Sequence, residues 1–289
     1  MNLANDKRSR HHRVLVTIIL ALGAIAVLLP LYYIFITSFK TLEESIGTFT
    51  WWPKTFTLEN FKEVFSMERL KTGKFFVNTM VLIVLKASTT MISCSLVAYG
   101  FVRYRYRYKE WIFAVFMAAM MIPGELLTIP QYEIYIELGW MDSYLPMVVP
   151  RIFATDIFAI FMFRQFFRKV PSALFEAAKI DGCGELRMYW NIMVPQCKSV
   201  FVTIFLLYFI GTYNDIYEAN LYILSDSKYT LAQGLRLIET MYKTGSRDYL
   251  IPWNLLSAGT LIALIPVFIL FFLGQKQFIE GMASSGIKE

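Results

Sequence analysis

Six stretches along the chain are rich in apolar side chains and poor in charged ones. A helix needs about 20 such residues to cross the hydrocarbon core of a bilayer, so each stretch predicts a membrane-spanning helix. The six stretches are Val14–Ile36, Phe75–Phe101, Trp111–Ile129, Leu145–Phe166, Val200–Leu224 and Leu255–Leu273. The pattern therefore predicts an all-α, polytopic membrane protein with six transmembrane helices.

The third, fourth and fifth stretches carry residues that interrupt an apolar helix. These residues are Pro123, Pro146, Pro150, Asp215 and Glu218. Backbone breaks and charges at membrane depth are tolerated where they face protein or water. We therefore expect these three helices, rather than the other three, to face protein or water instead of lipid.

Composition agrees with a chain embedded in a lipid bilayer. The 289 residues are 56% hydrophobic and 17% charged, whereas soluble proteins carry about 25% charged residues. The net charge of +6 is spread over separate loops, so we predict no nucleic-acid partner. Cys94, Cys183 and Cys197 have no metal-ligand spacing, and we assign them no redox or metal role.

The distribution of Lys and Arg predicts the orientation of the helices. Basic residues concentrate in residues 1–13, in the loop Arg103–Lys109 and in the connection 167–199, whereas the connection 130–144 has none. Cytoplasmic loops carry an excess of Lys and Arg. The prediction is a cytoplasmic N-terminal tail (1–13), a first transmembrane helix (14–36), a core with five further transmembrane helices (75–274) and a cytoplasmic C-terminal tail (275–289).

The connection between the fourth and fifth stretches predicts a helix–turn–helix on the cytoplasmic surface. Pro171 and Ser172 suit the first turn of a helix, and Gly182 suits its end. A second helix is predicted from Glu185 to Met193, ended by Pro195. The alanines of the first helix leave a shallow face that another protein can approach closely.

This connection resembles the EAA loop of bacterial ABC importer permeases. The resemblance rests on Glu176-Ala177-Ala178, Asp181-Gly182, Ile192 and Pro195; Val194 and Cys183 stand where Leu and Ala are usual. It implies that a coupling helix at about 172–184 docks in a groove of an ATPase subunit. By the same resemblance, the docking residues are Glu176, Ala177, Ala178, Asp181 and Gly182.

Further motifs resemble carbohydrate permeases of the maltose-permease second-subunit type. They lie in order at 122–125, 129–132, 138–144, 213–215, 228–235 and 275–281. The resemblance implies the type I ABC importer permease fold in a bacterial inner membrane. It also implies four kinds of partner: a second permease subunit, two ATP-binding subunits, an external substrate-binding protein and a sugar substrate.

The chain itself lacks the sequence of a nucleotide-binding loop. Gly73-Lys74 is followed by Phe75 and lacks the earlier glycine of a Walker motif. We therefore predict a non-catalytic subunit that binds no cofactor or metal, with ATP and Mg²⁺ bound by the partner ATPase. A secondary transporter is less favoured because no internal repeat is found. A membrane enzyme would require a set of catalytic residues at membrane depth. The two histidines, His11 and His12, lie instead in the basic N-terminal tail.

A sugar site requires hydrogen-bonding groups and aromatic faces. Helical spacing places four such residues of the fifth stretch together: Tyr213, Asn214, Tyr217 and Asn220. The alternative is that Asn214 and Asp215 stabilise helix packing or form a gate. A polyol, a sugar phosphate or a modified oligosaccharide remains an alternative cargo.

Two charges lie near the middle of predicted spans, Lys86 in the second and Asp156 in the fourth. Charges inside a membrane usually find a partner, which favours a Lys86–Asp156 pair facing the bundle interior. Snorkelling, or a position on a water-filled path, is the alternative interpretation.

Overall fold

The computed structural model describes residues 3–67, 70–243 and 251–286, and every regular element in those ranges is helical. The α-helices are α1 (Leu3–Thr37), α2 (Leu42–Ile46), α3 (Glu59–Ser66), α4 (Thr72–Arg103), α5 (Lys109–Ala119), α6 (Thr128–Glu137), α7 (Leu145–Ile152), α8 (Ile157–Phe167), α9 (Ser172–Ile180), α10 (Glu185–Met188), α11 (Val194–Gln196), α12 (Lys198–Asn214), α13 (Tyr217–Tyr222), α14 (Leu231–Lys243) and α15 (Trp253–Gly286). Short 3₁₀ segments cover Gly124–Leu127 and Asp226–Lys228, and a π-helical turn covers Tyr189–Met193.

Four helical stretches among the described residues are long and apolar enough to cross a membrane. They are His12–Thr37, Thr72–Arg103, Leu145–Phe167 and Trp253–Phe272. Two sharply bent pairs raise the number to six if each pair counts as one span: Lys109–Ala119 with Gly124–Glu137, bent by 85°, and Glu185–Gln196 with Lys198–Asn214, bent by 78°. The all-helical, polytopic class is confirmed, and six is the upper count.

Helix extends into both predicted tails. Helix α1 begins at Leu3, ahead of the apolar span, and α15 continues beyond the predicted core to Gly286. Residues 1, 2 and 287–289 of the predicted tails lie outside the described residues. The tail boundaries at 13 and 275 therefore mark a change in composition rather than the end of a helix.

The described residues divide into two units, and the first comprises residues up to 71 together with 235–265. Two buried asparagines organise it. Asn60 Nδ2 donates to the carbonyl oxygens of Ser38 at 2.7 Å and Lys40 at 2.8 Å. Asn254 Nδ2 donates to Asn60 Oδ1 at 2.7 Å. These bonds fix the segment after α1, since buried polar groups are costly unless they are paired.

The second unit comprises residues 72–234 with the chain from 266 onward. Helix α4 runs through it and contacts α7, α8 and α12. Aromatic, aliphatic and small side chains from these helices form the core, among them Cys94, Ala98, Ile160, Phe163, Phe167, Val200 and Ile204. Cys94 and Ala98 leave room on α4 for the large rings of α8, which is how membrane helices approach closely.

Three predicted spans of this unit are broken: the third bends by 85° between α5 and α6, and the fourth and fifth each have a capping aspartate at the break. The stretch 145–166 divides between α7 and α8, where Asp156 Oδ1 accepts from the backbone N–H of Ala159 at 2.9 Å. The stretch 200–224 divides between α12 and α13, where Asp215 Oδ1 accepts from the N–H of Glu218 at 3.0 Å. In both cases the aspartate satisfies a free backbone N–H in the first turn of the new helix. Each of these two stretches therefore consists of two helices rather than one.

Asp142 ties the turn after α6 to the segment after α13. It has a positive φ of 54°. Its carboxylate accepts from Ser225 Oγ at 2.6 Å, from the Ser225 N–H at 2.8 Å, and from Lys228 Nζ at 2.9 Å. These hydrogen bonds, that of Ser225 first and that of Lys228 next, hold the pKa of Asp142 well below its usual range. The contacts give a physical role to the motif at 138–144.

Replacing Asp142 with asparagine should lower the thermal stability of the protein at neutral pH. Asparagine tolerates the left-handed backbone, so the change isolates the lost charge. A lowered folded-state pKa contributes stability above the unfolded value of about 3.9 and loses it on further acidification. Thermal unfolding of the purified protein should thus show a gap between parent and Asp142→Asn that is constant from about pH 5 to 8 and narrows below about pH 4. Asp226→Asn, an exposed carboxylate nearby, is the control. A gap that widens on acidification would contradict the assignment.

Candidate functional site

Helix α9 has one buried residue and a broad exposed face. Phe175 is buried, whereas Ala173, Ala177 and Ile180 are exposed. At 100° per residue these three lie opposite Phe175. Ile180, three residues after Ala177 on the same side of the helix, is 87% exposed. The helix ends before Gly182, whose φ of +75° suits glycine.

The structure places most of the predicted docking residues on this surface. Glu176, Ala177, Asp181 and Gly182 are exposed. Ala178 is half-buried and packs against the chain's own core, so it is a poor candidate for direct contact. We call the set Ala173, Glu176, Ala177, Ile180 and Asp181 the α9 face.

The sequence interpretation missed Ile180 as a surface residue. Its signal was present, because five residues after Phe175 is 140° around the helix from it. Leu186 and Trp190, beyond the turn, are also exposed apolar side chains. The predicted second helix is confirmed from Glu185, but it passes into a π-helical turn, and Pro195 lies inside α11 rather than ending the helix.

Polar and aromatic contacts attach the α9–α10 segment to the end of α4. Glu185 Oε2 accepts from Tyr99 OH at 3.0 Å and from Arg103 Nε at 3.3 Å. The Arg103 guanidinium lies 5.3 Å from the centre of the Phe175 ring. Tyr189 OH and Ser95 Oγ share a hydrogen bond of 2.5 Å. These contacts connect α9 and the turn after it directly to α4.

A cluster of charged side chains lies where α12 and α13 meet. Lys86 Nζ on α4 lies 2.8 Å from Glu218 Oε2 and 3.5 Å from Asp215 Oδ2. The Lys86 side chain is 4% exposed. A buried ammonium requires such partners, since leaving it unpaired costs several kcal/mol. Lys86 of α4 thus pairs with two carboxylates at the α12–α13 break, Asp215 before α13 and Glu218 within it.

Arg151 and Asp156 extend the cluster to the break between α7 and α8. Arg151 NH2 lies 3.6 Å from Glu218 Oε1, and its NH1 donates to Tyr208 OH at 3.1 Å. Tyr208 OH donates to Asp156 Oδ2. Asp156 therefore pairs with a tyrosine, and the predicted Lys86–Asp156 pair is wrong: Lys86 binds the carboxylates of the fifth span instead. We call Lys86, Arg151, Asp156, Tyr208, Asp215 and Glu218 the ion network.

The four predicted pathway residues do not share one face. Tyr213 is buried and stacks on Phe209, with ring centres 5.4 Å apart. Asn214, Tyr217 and Asn220 are exposed, and Asn214 donates to the carbonyl of Ile210 at 3.0 Å. Because α12 ends at Asn214, helical spacing does not carry across to Tyr217. Their role in a substrate pathway stays a prediction.

Residues 91–283 match the model of the family described as binding-protein-dependent transport system inner membrane component. That range holds α9, its turn and all of the ion network except Lys86. The chain belongs to this family. It is thus a multi-pass membrane permease of the import class.

Known permeases are similar to this chain over most of its length. The arabinooligosaccharides transport system permease protein AraQ of Bacillus subtilis is 26% identical over 280 residues, covering 96% of each chain. The sn-glycerol-3-phosphate transport system permease protein UgpE of Brucella abortus is 29% identical, covering 93% of this chain and 95% of its own. A crystal structure of a bacterial ABC transporter that imports the acidic polysaccharide alginate aligns with a TM-score of 0.82 at 21% identity, over 96% of this chain and 98% of that one.

Proposed function

We propose that this permease forms, with a second permease subunit, the translocation path of an ATP-driven importer for a sugar or oligosaccharide. Two ATP-binding subunits would supply the energy and bind ATP and Mg²⁺, and an external binding protein would deliver the cargo. Both termini would be cytoplasmic. A polyol, a sugar phosphate or a modified oligosaccharide is the alternative cargo.

The observation that carries this proposal is the α9 face. Small side chains around a projecting isoleucine form a surface that a groove of another protein can enclose. A well-packed centre with an apolar anchor is typical of energetically important contacts. The face lies in the loop that resembles an ATPase-docking segment, and its docking residues would be Glu176, Ala177, Asp181 and Gly182, with Ala178 supporting the helix from behind.

Coupling would then work by displacement of a stiff element. Closure of the ATP-binding subunits moves α9, and the Glu185 contacts with Tyr99 and Arg103 pass the movement to α4. Helix α4 carries Lys86, which holds the α12–α13 break. Movement at one end of α4 can thereby change the arrangement around the ion network.

Uptake by the reconstituted importer tests the proposal. Proteoliposomes that contain both permeases and the ATP-binding subunits should accumulate radiolabelled sugar from the binding protein only when ATP is supplied on the side of α9. Vesicles without the ATP-binding subunits are the control and should accumulate none. Uptake at an equal rate without those subunits, driven by an ion gradient, would favour a secondary transporter and end the proposal.

A further inference from the structure

A cavity opens beside the ion network. Its volume is ≈ 380 Å³, which is within the range of small-molecule sites. It lies between the two helix breaks, and irregular backbone at membrane depth belongs where it lines a cavity. The lining residues that matter are the charged members of the ion network together with Phe158, Leu207 and Gly211.

The charges of this cavity are unequal in number and in accessibility. Asp156, Asp215 and Glu218 oppose Lys86 and Arg151, which is formally one negative charge in excess. The side chains of Glu218, Arg151 and Asp215 are 36%, 21% and 17% exposed, whereas that of Lys86 is 4% exposed. A molecule that enters therefore meets carboxylate oxygens before it meets the ammonium group.

Both cations are already engaged by the protein. Lys86 lies between two carboxylates. Arg151 contacts Glu218 and Tyr208, and its Nε donates to the carbonyl of Met147 at 2.9 Å. An anionic cargo would have to displace these partners and approach three carboxylates. Like charges in a cleft of low dielectric repel strongly.

A neutral, hydroxyl-rich molecule fits the same lining. Its hydroxyl groups donate to carboxylate oxygens, and hydrogen bonds to charged acceptors are stronger than those to neutral ones. Phe158 and Leu207 are exposed and supply apolar surface for the C–H face of a sugar ring. The lining thus offers hydrogen-bond acceptors and apolar contact. Both of its cations are already paired and do not offer a ready partner for a phosphate or uronate.

We propose that this cavity is a cargo site in the permease, which admits neutral sugars or polyols and excludes sugar phosphates and uronates. The proposal rests on the proposed import function and narrows its cargo. Asp215 and Glu218 are the hydrogen-bond acceptors for the cargo, and Lys86 and Arg151 hold these carboxylates in place.

Gly211 provides a probe of the cavity. A Cβ added there meets nothing within 4 Å, so Gly211→Cys places a thiol in the lining without displacing a neighbour. Gly23→Cys on α1, where an added Cβ also meets nothing, is the matched control. The native thiols give a low background, because Cys94 and Cys197 are buried and Cys183 is half-buried.

The experiment compares a cationic and an anionic methanethiosulfonate reagent on the purified importer complex. For each thiol, the rate with the cationic reagent is divided by the rate with the anionic reagent. This ratio should be about tenfold higher for Gly211→Cys than for a free thiol in solution. Adding Glu218→Gln should reduce the ratio several-fold. Equal or reversed preference overturns the proposal, and so does labelling at the background rate with both reagents.

Protection by cargo completes the test. Arabinotriose, raffinose or sorbitol should slow the labelling of Gly211→Cys, whereas glycerol 3-phosphate and a galacturonate oligosaccharide should not. Protection by an anionic probe, or by no probe, overturns the proposal. These labelling rates are independent of the energy source, so the import function can fail in the ATP-dependent uptake assay while the cavity retains its charge preference, and the two failures are distinguishable.

Discussion

Ala177→Arg should reduce ATP-dependent uptake about 100-fold while the protein still inserts into the membrane. Ala177 is exposed at the centre of the α9 face, opposite the buried Phe175. A bulky charge at the centre of a close contact costs about 3 kcal/mol, and each 1.4 kcal/mol is a factor of ten. The chain's own fold should be unaffected, because position 177 is on the outside. Uptake into proteoliposomes measures the effect.

Ser172→Arg is the matched control. It adds the same side chain to the same helix, but position 172 lies about 140° around the helix from Ala177. Its uptake should stay within about twofold of the parent, since a surface substitution away from a contact rarely exceeds about 0.5 kcal/mol. Ala178→Arg is a less informative change, because Ala178 packs against the chain's own core. Normal uptake by Ala177→Arg, or an equal loss in Ser172→Arg, would contradict the docking role.

Lys86→Met should destabilise the folded protein by about 3 kcal/mol and abolish uptake. The change removes the shared partner of Asp215 and Glu218 and leaves two carboxylates facing each other without the ammonium. The estimate is at the low end of the usual range because Glu218 keeps Arg151 and is partly exposed. Chemical unfolding in mixed micelles measures the free energy of unfolding.

Removing the charges of Lys86, Asp215 and Glu218 together distinguishes lost pairing from lost packing. In Lys86→Met combined with Asp215→Asn and Glu218→Gln, stability should return to within about 1 kcal/mol of the parent, since replacing a whole buried pair is often neutral. Asparagine at 215 still caps α13. If the triple variant is as unstable as Lys86→Met alone, the cost lies in packing around Lys86 and the electrostatic account is wrong.

Local signals along the chain were enough to predict the membrane helices and the start of α9. Apolar runs of about 20 residues need only a count, and Pro171 with Gly182 marks the ends of one short helix. The role of the motif at 138–144 could not be predicted from local sequence, because Asp142 binds Ser225, more than 80 positions later.

The helix breaks and the ion network could not be predicted by the same means. A window of 20 residues averages across Asp156 and Asp215, whose short side chains cap a following helix only when the local backbone turns. The two partners of Lys86, Asp215 and Glu218, lie 129 and 132 residues away along the chain. The choice between Asp156 and the carboxylates of the fifth span therefore depended on tertiary packing. Asp215 is a good helix-capping residue, and this is a local signal for the break after Asn214.

Retention of the ATP-binding subunits by the affinity-purified permease tests the central claim most directly. The parent and Ser172→Arg should retain both subunits through purification, and Ala177→Arg should lose them while keeping the second permease. Full retention by Ala177→Arg would show that the α9 face is not where an ATP-binding subunit docks.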